Sequence, residues 1–136
     1  MHKANMLWMI YKRSLKRVFN MKFPEVRNSQ LNPEKHSVLL ELFIPDEIEF
    51  FEGHFPDSPI LPGVVQVDWA IEFSHQFFHI EKETFLKMRQ LKFTKVILPN
   101  RTVFLSLTLE NNQLSFKYFN QGSIYSSGTI VSVNQS

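Results

Sequence analysis

The stretch GHFPDSPILPGVVQVD, residues 53–68, sets a histidine and three prolines immediately before an apolar run that itself carries an aspartate. Each X-Pro step disfavours helix for the residue before it, so the approach to Pro62 reads as extended and rigid. Past Pro62 the apolar residues crowd together and predict a helix, whose first free backbone N–H groups fall at Gly63 and Val64. A helix start presents donors and a partial positive charge, and a residue without a side chain lets a ligand carbonyl oxygen come close. Asp68 follows five residues after Gly63, a turn and a half into the helix among apolar neighbours, where a carboxylate needs a partner or a raised pKa. One reaction type uses all these parts. Taking a proton from the carbon beside a thioester carbonyl needs a base of moderate pKa, donors aimed at the developing enolate oxygen, and an acid if a β-hydroxyl must leave. His54 suits the base, the Gly63 and Val64 N–H groups the donors, and Asp68 the acid. Taken alone, a histidine before Phe-Pro and one helical aspartate are also common structural residues.

The elements that must position these groups are legible from periodicity. Residues 22–35 have two prolines and no lasting period, and read as an irregular lead-in. Val38, Leu40, Leu42 and Ile44 alternate on one face of a first strand. From about Pro62 to Ile80, apolar residues fall on every side of a helical wheel, so the helix is buried. Alternating segments at 85–98, 102–110, 113–120 and 123–133 follow, with ENNQ as a turn, and read as antiparallel strands in a meander. The class is α+β, a curved sheet wrapped around one long buried central helix.

A chain of 136 residues suits one domain. With 43% hydrophobic residues and fourteen Phe it is a folded protein, and the absence of cysteine excludes thiolate chemistry and disulfides. Of its fifteen basic residues six lie in residues 1–22, which hold no acid; residues 1–21 form a basic N-terminal extension, and 22–136 the domain. Its apolar run of five residues is too short for a secretory signal, and no segment is long enough to span a membrane. Leu7, Tyr11, Leu15 and Val18 recur at helical spacing beside the basic residues, while Met21 opens a plausible true start, which leaves residues 1–20 dispensable for folding and chemistry. A second basic run, Lys87, Arg89, Lys92, Lys95 and Arg101, suits an acidic partner or a solvated strand face.

The stretch FFEGHFPDSPILPGVVQVDW resembles the signature of the hot-dog-fold 3-hydroxyacyl-(acyl carrier protein) dehydratases, in which G-H-F-P-x-x-P-x-x-P-G precedes a helix with an acidic residue five positions after the last Gly. His54, Phe55, Pro56, Pro59, Pro62 and Gly63 match, and Asp68 takes the acidic position. Aspartate there resembles the dehydratase/isomerase branch, and PGVVQVDWA is similar to the small dehydratases of aryl polyene biosynthesis. The resemblance implies the hot-dog fold, a homodimer or higher oligomer of dimers, or an assembly with a related hot-dog subunit, and sites shared between His54 of one chain and Asp68 of the other. It implies His54 and Asp68 as catalytic residues, with Gly63, Val64, Phe55, Pro62 and Glu72 as substrate-binding residues. It also implies a substrate that rides on the phosphopantetheine of an acyl carrier protein in the cytoplasm, with no metal, redox cofactor or nucleic acid involved. Asp57 and Glu72 depart from the family's usual Gly and Gln. Glu72 lies at i+4 from Asp68, and a second carboxylate so near favours a protonated Asp68, as a general acid requires. Two other readings stand beside this one: a hot-dog thioesterase, and a non-catalytic acyl-binding or assembly subunit. Glu72, His75 and His79 share a helical face but read as packing or surface rather than a metal site, and Tyr118, Tyr125 and the phenylalanines as core, some of them lining an acyl tunnel.

Overall fold

Period-two alternation builds most of what the computed structural model contains; it describes residues 24–45, 60–79 and 85–132. The N-terminal extension, His54 and Phe55 lie outside the described residues. Six strands form one antiparallel sheet: β1 Glu25–Asn32, β2 Ser37–Ile44, β3 Phe85–Phe93, β4 Arg101–Glu110, β5 Gln113–Asn120 and β6 Ser123–Ser132, in the order β1-β2-β4-β5-β6-β3. Among the described residues one α-helix, α1, spans Gly63–Phe78, in the stretch of chain between β2 and the edge strand β3. The α+β arrangement expected from the sequence is the one observed, and no helix among the described residues is long and apolar enough to cross a membrane.

The alternating side chains bury one face of the sheet against α1. Val38, Leu40, Leu42 and Ile44 of β2 join Val103, Leu105 and Leu107 of β4 and Leu114, Phe116 and Tyr118 of β5 in a single core. From α1 that core receives Val65, Val67, Trp69, Ala70, Ile71 and Phe73. Every residue from Val65 to Ser74 is buried, as an all-round apolar helix requires. The helix stops at His79, whose left-handed backbone (φ 58°) lets its N–H return to the His75 carbonyl at 3.0 Å. The hairpins close through Asn111-Asn112 and Gln121-Gly122, each with φ above zero at both positions, the geometry that matches the twist of the flanking strands.

Three expectations are corrected. The stretch read as an irregular lead-in contains strand β1, paired with β2 from Glu25↔Phe43 to Asn32↔Ser37. All eight of its residues are exposed, so no hydrophobic period marks it; its order comes from backbone pairing and from the Arg27 guanidinium, 4.2 Å from the centre of the Phe43 ring. The strand expected at 85–98 ends at Phe93, after a register shift between Arg89 and Lys92 where Gln90 takes φ 57°. β3 then pairs with β6 rather than continuing a meander into β4, because β2 and β5 already occupy both edges of β4. Finally, not every phenylalanine is core: Phe104 and Phe119 are half-buried and stack with ring centres 5.8 Å apart, outside the alternating core positions of β4 and β5.

Candidate active site

Asp68 is 1% exposed, and Glu72, one turn further along α1, is also buried. Both carboxylates therefore point into protein, as the apolar helix around them implied. Upstream, Pro62 caps α1 in an extended conformation (φ −63°, ψ 148°) and offers no side-chain acceptor. Its carbonyl accepts from the Val65 N–H at 3.1 Å and the Gln66 N–H at 3.2 Å. Among the described residues no acceptor stands opposite the N–H groups of Gly63 and Val64, both half-buried. Two oriented donors are thus left at the positive end of the helix. The side of Gly63 that lacks a side chain is covered by Phe93: a Cβ placed there would lie 2.8 Å from ring Cε1 and 2.9 Å from Cζ. The glycine serves a close approach, but within the described residues the group that approaches is a protein ring.

The structure brings Pro62, Gly63, Val64, Asp68 and Glu72 onto the first two and a half turns of one helix. His54 and Phe55, expected from the sequence as a catalytic and a substrate-binding residue, fall outside the described residues. Two further polar groups meet at this place: Tyr118, read from the sequence as core and found there, and Gln66, which the sequence reading did not single out. The Tyr118 hydroxyl donates to the Gln66 carbonyl at 2.7 Å from beneath the helix. Burial, and then the negative charge of nearby Asp68, push that hydroxyl well above the ordinary tyrosine range. The signal available for Gln66 was its being, with Asp68, one of only two polar side chains in GVVQVDWA.

The raised Tyr118 value predicts a pH dependence with a definite sign. Folding favours the protonated phenol, so its contribution is complete below the unfolded tyrosine value of about 10 and is lost as pH rises beyond it. Urea melts between pH 8 and 11 should show stability falling along that limb, and Tyr118→Phe should flatten it while costing about 1 kcal/mol at neutral pH through the lost hydrogen bond. Equal slopes in both proteins would contradict this placement of the phenol.

Glu72 and His75 lie on α1 and His79 caps it, yet no three His, Asp or Glu among the described residues are grouped to hold a metal ion. A groove of about 620 Å³, lined among others by Lys92, Ser106, Thr108, Ser115, Lys117 and Thr129, opens on the other face of the sheet from α1 and holds none of the groups an elimination needs. The basic run divides. Lys87, Arg89 and Lys92 are exposed on edge strand β3, Lys95 bonds Ser123 Oγ at 3.1 Å, and Arg101 opens β4, with β5 and β6 between it and β3.

Residues 29–129 match the family profile described as ApeI-like, the ApeI dehydratase. The chain belongs to the ApeI-like dehydratase family. Among solved structures, the dehydratase heterocomplex ApeI:P from Xenorhabdus doucetiae superposes with TM-score 0.71 at 25% identity, over 81% of this chain and 97% of that one. An uncharacterised protein from Erwinia carotovora subsp. atroseptica gives 0.70 at 27% identity, over 81% and 95%. At 14% identity and TM-score 0.62, the dehydratase domain of the polyketide PpsC from Mycobacterium tuberculosis shares the fold over 85% of this chain and 46% of that one. The fold is the hot-dog fold expected. Curated relatives include the 3-hydroxyacyl-(acyl-carrier-protein) dehydratase FabZ of Oenococcus oeni, 31% identical over 68 residues, covering 46% of this chain and 49% of that protein. FabZ of Lactobacillus helveticus is 29% identical over 90 residues, covering 62% and 60%. This chain spans about half the length of the first of these.

Proposed function

We propose that the protein is a 3-hydroxyacyl-(acyl-carrier-protein) dehydratase, acting in the cytoplasm on carrier-bound intermediates of fatty acid or aryl polyene type. The observation that carries this reading is a buried Asp68 held a turn and a half beyond two open N–H donors at the start of α1. Membership of the ApeI-like family supports it. His54 removes the proton from the α-carbon of the 3-hydroxyacyl thioester. Negative charge builds on the thioester oxygen, where the Gly63 and Val64 N–H groups receive it. The electron pair closes the Cα–Cβ double bond, the Cβ–O bond breaks, and Asp68 supplies the proton that lets hydroxide leave as water. The products are a trans-2-enoyl thioester and water; His54 ends protonated and Asp68 ionised, and a proton passed through solvent resets both. Phe55, Pro62 and Glu72 line the acyl site in this reading. Every group the elimination uses is a protein side chain or amide, and the phosphopantetheine arm enters with the substrate.

The arrangement we propose is a dimer, formed either by two copies or with a related hot-dog subunit. The ApeI:P complex supports the second option. The acidic carrier protein docks against Lys87, Arg89 and Lys92 on β3, which present a row of exposed positive charge at a sheet edge.

Purified protein given a 3-hydroxyacyl thioester should generate the absorbance of a conjugated enoyl thioester. Release of free thiol without conjugation would indicate a thioesterase, and neither product an acyl-binding or assembly subunit. Reversing Lys87, Arg89 and Lys92 to Glu should raise KM several-fold for carrier-bound substrate and far less for a pantetheine mimic, with the gap closing at high salt. Equal effects on both substrates would end the docking assignment.

A further inference from the structure

One row of the sheet meets the first turn of α1. Across β5, β6 and β3 the register sets Tyr118 beside Ser126 and Ser126 beside Phe93. Each of these three touches the helix start at a different point. Phe93 packs its ring on Gly63, Tyr118 bonds the Gln66 carbonyl, and Ser126 Oγ donates to Gln66 Oε1 at 2.6 Å. The other end of the same amide, Nε2, donates to the Leu61 carbonyl at 3.1 Å, and the Leu61 N–H donates to the Ile97 carbonyl at 2.8 Å. Gln66 is 3% exposed. Its amide orientation follows from these partners, because only its oxygen can accept from Ser126 and only its nitrogen can donate to a carbonyl.

A buried amide is costly unless satisfied, and a methionine or leucine would fill the same space without that demand. What Gln66 adds is direction. Pro62 has no N–H and no capping side chain, so neither local device fixes the Leu61-Pro62-Gly63 backbone. The Gln66 amide reaches back five residues and clamps the Leu61 carbonyl, while Ser126 stops the amide from turning.

We infer that Gln66, oriented by Ser126, is a positioning residue that sets the direction of the Gly63 and Val64 N–H groups toward the substrate carbonyl. This rests on the dehydratase reading and adds to it the residues that hold the donors. Gln66 touches no reacting atom. Its effect belongs to the stage at which negative charge appears on the thioester oxygen, so it acts on kcat more than on KM.

The test uses the full chain and a 3-hydroxyacyl pantetheine thioester. Gln66→Met should lower kcat by about 10- to 100-fold, the range for displaced oxyanion donors, with KM changed less than about threefold. Ser126→Ala should lower kcat several-fold with the same split, and it carries the test should Gln66→Met fail to melt cooperatively. Gln66→Glu separates positioning from mere filling. A neutral glutamic acid has one O–H to give Leu61 and one carbonyl oxygen to receive Ser126, whereas the carboxylate can only accept. Its kcat relative to wild type should therefore rise several-fold as pH falls from about 8 to 5.5. In ¹⁵N spectra the Gly63 and Val64 amide signals should move in Gln66→Met. An active wild type with Gln66→Met within twofold in kcat, or a Gln66→Glu ratio flat with pH, overturns the positioning role. A wild type that forms no enoyl product overturns the dehydratase reading and this inference with it.

Discussion

Asp68→Asn and His54→Ala should each lose about 10²-fold or more in turnover, the loss typical of a positioned acid or base, while melting as cooperatively as the wild type. Asparagine keeps the shape of a side chain that is 1% exposed but cannot deliver a proton to the departing hydroxyl. Alanine at His54 removes the imidazole proposed as base for the α-proton. If each site joins His54 of one chain to Asp68 of another, the two inactive variants should rescue each other when unfolded together and refolded. A mixed dimer then has one site with both lesions and one with neither. Random pairing makes roughly half of the dimers mixed, so roughly a quarter of the wild-type sites return, by the two-fold symmetry of an isologous pair. Each variant refolded alone should stay inactive. Mixed samples that remain dead despite demonstrated subunit exchange would rule out the shared site. Activity surviving in either single variant would remove that residue from the mechanism.

Trp69→Ala should cost about 3–5 kcal/mol of folding stability, the usual range for deleting a fully buried indole. Trp69 is among the largest wholly buried side chains and lies next to Asp68 in the chain. Domains of this kind are stable by only about 5–15 kcal/mol, so the loss should remove a large share of the total. Urea unfolding should show a lower midpoint at unchanged slope, and Trp69→Phe should recover part of the loss. A change below about 1 kcal/mol would mean that α1 is not the filling of the core. Because the same helix carries Asp68 and the Gly63 and Val64 donors, the Ala variant should also lose activity at temperatures where it remains folded.

Much of this architecture was legible in the chain because burial leaves a periodic mark. Strand β2, with Val38, Leu40, Leu42 and Ile44 all buried, and the all-round apolar α1 were read correctly for that reason. The burial of Asp68 was legible as well, since a carboxylate amid the apolar residues of such a helix stands out. Strand β1 left no mark: its side chains are all exposed, and the backbone hydrogen bonds that order it involve no particular residue type. The division of the basic run between β3 and β4 was hidden for a related reason. Neighbours in sequence from Lys87 to Arg101 are parted when β6 and β5 intervene in the sheet.

By itself, then, the sequence determined the α+β class, the buried helix, and the helix start at Gly63 and Val64 as a pair of donors ahead of the acid Asp68. Those properties depend on local backbone preference and on hydrophobic period, both of which act between residues close in the chain. Only the tertiary structure decided that β3 lies against β6, that Phe93 covers Gly63, and that Tyr118 and Ser126 hold Gln66. Tyr118 stands 52 residues and Ser126 60 residues from Gln66, and hydrogen bonds across such separations form only once the sheet register has set which side chains share a row.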